Sequence, residues 1–244
     1  MNEVFKLEWA MADPLVLNKS RRDRYKNKAG IAIPSVTGVL GNLGWNKNAL
    51  NYWANSIGLQ GIPIREYKSE ADCGTIAHYF CECFIKQNRP DLTKLPQETT
   101  EQKAKLEDIV PRAQNAFMGF LDWQARVQPN YIQSELKLIS ERYQYGGTLD
   151  IIARVGSGLT LIDLKSSKGV YADFIIQLAA YLNAARENGY NIESVMLLQL
   201  GKEDGTFMPH PIQPEQLNMG FDVFQHLLPI ARARKVLDKF GQEE

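Results

Sequence analysis

The sequence predicts an α/β protein, with a mixed sheet layered between helices and preceded by a helical N-terminal region. Residues 131–165 divide into three alternating or apolar runs separated by short polar turns, the texture of consecutive strands. A helical segment over 173–187 then separates these runs from a further strand-like stretch over 191–200. A long helical pattern closes the chain, so strands and helices interleave.

Ile31–Thr37 begins extended, after which Pro34 and Ser35 offer helix-start chemistry. Helical spacing continues over 48–57 until Gly58, Gly61 and Pro63 break it. Over 73–87, Ile76, Ala77, Phe80, Phe84 and Ile85 step as on an amphipathic helix, with His78 in its first half. The polar, proline-containing stretch 89–101 reads as a surface connection to a helix over about 102–124. Together, about 89–129 reads as a helical insertion on one side of the core. The three strand runs follow, at 131–139, 147–155 and 159–165. Gly146-Gly147 and Gly156-Ser157-Gly158 read as the turns of an antiparallel meander.

The Ala-, Leu- and Ile-rich helix over 173–187 is ended by Gly189. The strand over 191–200 leads into a hairpin-like turn at Lys202–Gly205 and a short run through Phe207. The last helix covers about 214–240. This describes one domain of 244 residues: a basic arm and helical part over 1–72, a core over 73–212 and a C-terminal helix over 213–244.

Composition narrows the classes of function. With 44% hydrophobic and 23% charged residues, the chain has a globular rather than a disordered composition. Lys plus Arg equals Asp plus Glu, 28 against 28, so any affinity for a polyanion must be local. The run from Lys19 to Lys28, which includes Arg21, Arg22 and Arg24, is either a solvated arm or a phosphate-binding one. Cys73, Cys81 and Cys83 cannot make a disulfide framework and read as buried thiols in a reducing compartment. No stretch is long and apolar enough for a membrane span, and Met1–Asp13 is too acidic for a signal peptide. These features point to the cytoplasm, with no membrane partner. They name no protein partner.

The densest chemistry lies in the strand runs. Asp163 and Lys165 stand two apart on a strand and therefore project to one face. Asp150 stands on the preceding strand, where antiparallel pairing can bring the two carboxylates together. Close carboxylates repel unless a cation lies between them, and a hard divalent cation prefers such oxygen ligands. Glu135, one strand earlier, can add a third oxygen. The competing reading is a structural ion-pair cluster that binds no cation.

Taken in order, Gly74-x-x-x-His78, Glu135, Gly147-x-x-Asp150, Asp163-x-Lys165 and Gln177-x-x-x-Tyr181 resemble the motifs of PD-(D/E)XK nucleases. The resemblance is to the RecB-like exonuclease family, of the phage and mitochondrial genome maintenance exonuclease type. It covers roughly residues 74–181, and more loosely the Ile33–Thr37 segment. It implies a restriction-endonuclease-like core and a Mg²⁺- or Mn²⁺-dependent deoxyribonuclease, an exonuclease acting on DNA ends in recombination, repair or phage DNA metabolism. The alternatives are a structure-specific or single-strand endonuclease on the same fold, or an inactive DNA-binding module.

Carried over by motif, the metal ligands are His78, Asp150, Asp163 and the backbone carbonyl of Leu164. Lys165 faces the attacking water, and Glu135 holds a second metal or its water. Gln177 and Tyr181 share one helix face and contact DNA or support the metal site; for Tyr181 core packing is equally open. Ser35 and Thr37 are either a plain N-cap or a phosphate contact, with Arg21, Arg22 and Arg24 nearby in sequence. His210 and His226 read as ordinary surface or packing residues. No cysteine follows Cys83, so the iron–sulfur cluster of some relatives lacks its ligands here.

Overall fold

A computed structural model describes residues 25–45, 47–59, 69–91 and 100–240. Its helices are α1 (Val36–Leu40), α2 (Lys47–Gly58), α3 (Ser69–Ile85), α4 (Thr100–Val127), α5 (Ala172–Glu187) and α6 (Pro214–Phe240). Its strands are β1 (Asn130–Ser140), β2 (Tyr145–Val155), β3 (Gly158–Lys165), β4 (Ser194–Leu200) and β5 (Phe207–Pro211). The basic residues Arg21, Arg22 and Arg24 lie outside the described residues.

The five strands form one mixed sheet in the order β1-β2-β3-β4-β5. β1, β2 and β3 are the expected antiparallel meander. α5 then carries the chain across so that β4 runs parallel to β3, as a crossover helix allows and a tight turn does not. β5 returns antiparallel to β4. The short run through Phe207 is thus a fifth strand reaching Pro211, while β4 starts at Ser194 rather than 191.

Both faces of the sheet are covered, which is why β2 and β3 read as near-continuous apolar runs. On one face Leu149, Ile152, Leu161 and Leu197 pack with Val36 of α1, Tyr181 of α5 and Phe224 of α6. On the other, Ile151, Ile162, Leu164 and Leu198 pack against Ile76 and Phe80 of α3 and Phe117, Phe120 and Trp123 of α4. Each such large side chain contributes roughly 1.5–3 kcal/mol on burial. This is enough for α4 and α6 to run through Pro111 and Pro229, although a proline removes an internal helix bond. The helix expected within the insertion at 89–129 is therefore a wall of the core.

Gly146-Gly147 is not the first hairpin turn. The chain turns at 141–144, with Gln144 at φ 57°, and both glycines lie inside β2. Aromatic rings occupy the space their side chains would need. A Cβ on Gly147 would come within 2.4 Å of the Tyr181 ring, and one on Gly146 within 2.5 Å of the Tyr25 ring. The second turn is as expected, with Gly156 at φ 62° between β2 and β3.

Cys73, Cys81 and Cys83 are free and buried against α3's neighbours. Burial pushes the Cys83 thiol up to about 11 and raises Cys81 further still, so both stay protonated and unreactive. No helix among the described residues is long and apolar enough to cross a membrane.

Candidate metal centre

The site forms where the β2–β3 ladder ends. The last paired residues are Ile151 and Ile162, which leaves Asp150 and Asp163 opposite each other just beyond. There the backbone amide of Leu164 donates to Asp150 Oδ2 at 2.7 Å, a side-chain acceptor replacing a strand carbonyl. From α3, His78 brings Nδ1 to 3.4 Å from Asp150 Oδ1. His78 is partly open while its neighbours Ala77 and Tyr79 are buried, so the same helix that closes the core presents the imidazole to the site.

Glu135 arrives from β1 with φ 52°, a left-handed conformation that costs a non-glycine residue of order 1 kcal/mol or more. One ligand atom from each of His78, Glu135 and Asp150 falls within 4.8 Å of the others. Oxygen ligands of a magnesium ion lie up to roughly 4.2 Å apart. The three groups fit a hard cation after drawing in slightly.

Asp163 stands beside this trio rather than in it. It is 2% exposed, and its Oδ2 meets Lys165 Nζ at 2.6 Å as an ion pair while accepting no hydrogen bond of good geometry. Lys165 in turn sits 5.0 Å above the ring of Phe174 on α5. Burial pushes the Asp163 carboxyl up to about 6, helped by the charge of Asp150 and opposed by Lys165. A buried carboxylate that ionises so reluctantly, with a single lysine as its charge partner, is the second observation that suits a cation here.

Asp150 and Lys165 are held in their ionised forms. For Asp150, burial disfavours the carboxylate, but the charge and hydrogen bond of His78, with Lys165 and the Leu164 amide, outweigh it and lower the pKa. For His78, burial works against the imidazolium, yet Asp150 raises the pKa overall. Lys165 is likewise raised, with burial overcome by Asp163 and Asp150.

Gln177 Nε2 donates to Tyr181 Oη at 3.0 Å, and the Tyr181 ring lies buried against Gly147, close enough for Asp163 and Asp150 to act on its hydroxyl. Ser35 accepts from the Gly38 amide at 3.0 Å as the N-cap of α1 and pairs with Gly146, so the segment holding Ser35 and Thr37 lies at the start of β2. Elsewhere, His226 binds the Asp222 carbonyl, and His210 binds Gln199. The sequence reading missed Phe174 beneath Lys165. Its place two turns into the segment after Asp163-x-Lys165 gave no signal, because aromatic residues at helix starts are ordinary core residues.

No protein-family model matches the chain, and no curated protein matches it. Among solved structures, the chain resembles a candidate exonuclease from Eubacterium rectale, with a TM-score of 0.51 at 13% identity over 88% of this chain and 85% of that one. An alkaline exonuclease from Laribacter hongkongensis aligns at a TM-score of 0.36, 14% identity, 68% of this chain and 84% of its own. The same enzyme in complex with dAMP aligns at 0.37, with equal identity and coverage. The first likeness is one of fold: a mixed sheet flanked by helices.

Proposed function

We propose that the chain is a divalent-cation-dependent deoxyribonuclease that hydrolyses phosphodiester bonds as an exonuclease at DNA ends. One observation carries the reading: His78, Glu135 and Asp150 converge at the end of the β2–β3 ladder beside the buried Asp163–Lys165 pair. A solvated ion-pair cluster does not bury a carboxylate to 2% exposure beside a second, facing carboxylate. A site for a cation and a phosphate does. The fold likeness to a candidate exonuclease agrees with the reading.

A divalent cation such as Mg²⁺ or Mn²⁺, when bound here, would supply a Lewis acid and a more acidic water. His78, Glu135 and Asp150 would hold it, with Asp163 beside them as the further carboxylate that would join on binding. The Leu164 carbonyl is suited to join them, since the amide and carbonyl of one strand residue project to the same edge, and the amide already reaches Asp150. Asp150 takes that amide on Oδ2, which fixes its second oxygen toward His78.

Lys165 offers its ammonium to the attacking water and to the charge that accumulates on the phosphoryl oxygens, where a fixed cation is worth most. Phe174 beneath it limits the positions the amine can take. Tyr181, buried in the core rather than open to DNA, supports the site through its hydroxyl, and Gln177 beside it faces the DNA; Ser35, Thr37 and the basic residues Arg21, Arg22 and Arg24 contact phosphates of the substrate.

The test is a time course with Mg²⁺ on end-labelled linear DNA and on covalently closed circles. Loss of mononucleotides or short oligonucleotides from linear DNA alone is the expected result. Cleavage of circles makes the enzyme an endonuclease, and absence of cation-dependent cleavage of either contradicts the reading.

A further inference from the structure

The loop between β3 and α5, residues 166–171, follows directly on Lys165 and carries a feature that metal binding does not use. Tyr171 is 47% exposed, and Val170 beside it is 36% exposed, although both are large and apolar enough to be worth burying. Lys168 is exposed next to them. An aromatic ring, an apolar side chain and an ammonium group thus stand together in solvent at the edge of the candidate site.

The loop is held in place. Ser167 Oγ donates to the Gly169 carbonyl at 2.7 Å, and Gln199 Nε2 donates to the Ser167 carbonyl at 2.8 Å. Gln199 is the β4 partner of Lys165, so the brace ties the loop to the strand beside the reactive lysine. Since Gln199 uses its amide hydrogens on Ser167, its Oε1 is the acceptor for His210 Nε2 at 3.0 Å, which fixes His210 as the donor.

Tyr171 is positioned as well as exposed. Its ring tip lies against Gly169, in ordinary van der Waals contact with the place where a Cβ would be. Its ring meets Phe174 nearly edge-on, with centroids 5.4 Å apart, and Phe174 carries Lys165 Nζ at 5.0 Å. Two successive contacts therefore join an exposed ring to the ammonium that faces the scissile phosphate.

We propose that Tyr171 is a stacking platform for the nucleobase next to the bond that is cleaved, with Gln199 and His210 as positioning residues for its loop and Lys168 against the adjoining phosphate. The inference rests on the nuclease reading above and gives it a substrate preference. A base can stack on Tyr171 only through a face that its neighbouring base has left free, so the site takes single strands, frayed ends or the terminal base of a duplex. Stacking is tolerant of sequence, because every base has a π-face.

The experiment uses the full chain, Ca²⁺ as the added cation, and single-stranded oligonucleotides with 2-aminopurine at successive positions from the end. Stacking on an aromatic ring quenches this base. Wild type is expected to quench it at one position. Tyr171→Ala should lose that quench and bind roughly 5- to 100-fold more weakly, while Tyr171→Phe retains both. With Mg²⁺, Tyr171→Ala should raise KM much more than it lowers kcat. Gln199→Leu is expected to blunt the positional quench with the Tyr171 ring still present. Unchanged quench and affinity in Tyr171→Ala, in a wild type that binds and cleaves, overturn the platform alone. A wild type that neither binds the oligonucleotides nor cleaves DNA with Mg²⁺ overturns the nuclease reading and the platform with it.

Discussion

The backbone amide of Leu164 donates to Asp150 Oδ2 at 2.7 Å, immediately past the last paired residues of β2 and β3. This bond turns the end of a ladder into a fixed carboxylate, and His78, Glu135, Asp163 and Lys165 are arranged around it.

Asp150→Asn separates the two duties of that carboxylate. The amide oxygen can still accept from Leu164, whereas Asp150→Ala leaves the amide unsatisfied at a cost of about 1–3 kcal/mol. Calorimetric titration with Mn²⁺ should find binding in the wild type and at least tenfold weaker binding in Asp150→Asn, at a thermal midpoint close to that of the wild type. Equal affinities would mean that Asp150 is no ligand.

The metal-free protein should lose stability as pH rises from acid to neutral. Asp163 is raised from 3.8 to about 6, so its ionisation penalty is absent below the lower value and complete above the upper one, on the order of a few kcal/mol. His78 is also raised, and its contribution, present below 6.5, is lost as pH passes its folded value. A cation offsets the Asp163 penalty and competes with the proton. Scanning calorimetry should therefore show a larger gain in Tm from Mn²⁺ at pH 7.5 than at pH 5; a gain as large at pH 5 would contradict the assignment.

Gly147→Ala places a methyl group where the Tyr181 ring stands, 2.4 Å away. Overpacking of this kind costs about 1–3 kcal/mol. Urea unfolding should register that loss, with cleavage falling as well because Tyr181 moves. A variant as stable as wild type would show that the ring gives way freely.

Much of the layered fold was legible because its signals are local. The 3.6-residue stepping of Ile76, Phe80 and Phe84, the apolar runs of β2 and β3 and the glycine at 156 each report on neighbours in sequence. The same was true of the motif residues His78, Asp150, Asp163 and Lys165, whose spacing placed them on the right elements. What escaped depends on contacts between distant segments. Gly146 and Gly147 read as a turn because nothing nearby in sequence announces the rings of Tyr25 and Tyr181. Glu135 reads as a third oxygen at this edge, but the left-handed backbone that aims it is nothing a glutamate advertises, and Phe174 reaches Lys165 only through the crossover.

That left-handed residue gives a stability test. At φ 52°, Glu135→Gly should be about 1 kcal/mol more stable than Glu135→Ala, the reverse of the usual order, since both lose the side chain and only glycine escapes the strain. Denaturant midpoints of the two variants decide it. Alanine at least as stable as glycine would remove the strain argument.

The central claim is tested most directly by Mg²⁺-dependent cleavage of end-labelled DNA by Asp163→Asn and Lys165→Met, each first shown by circular dichroism to be folded. On the proposed reading, in which Asp163 helps hold the cation and Lys165 meets the reacting phosphate, each variant should fall by about a hundredfold or more, the loss typical of a removed preorganised group. Cleavage by both at the wild-type rate would contradict the account.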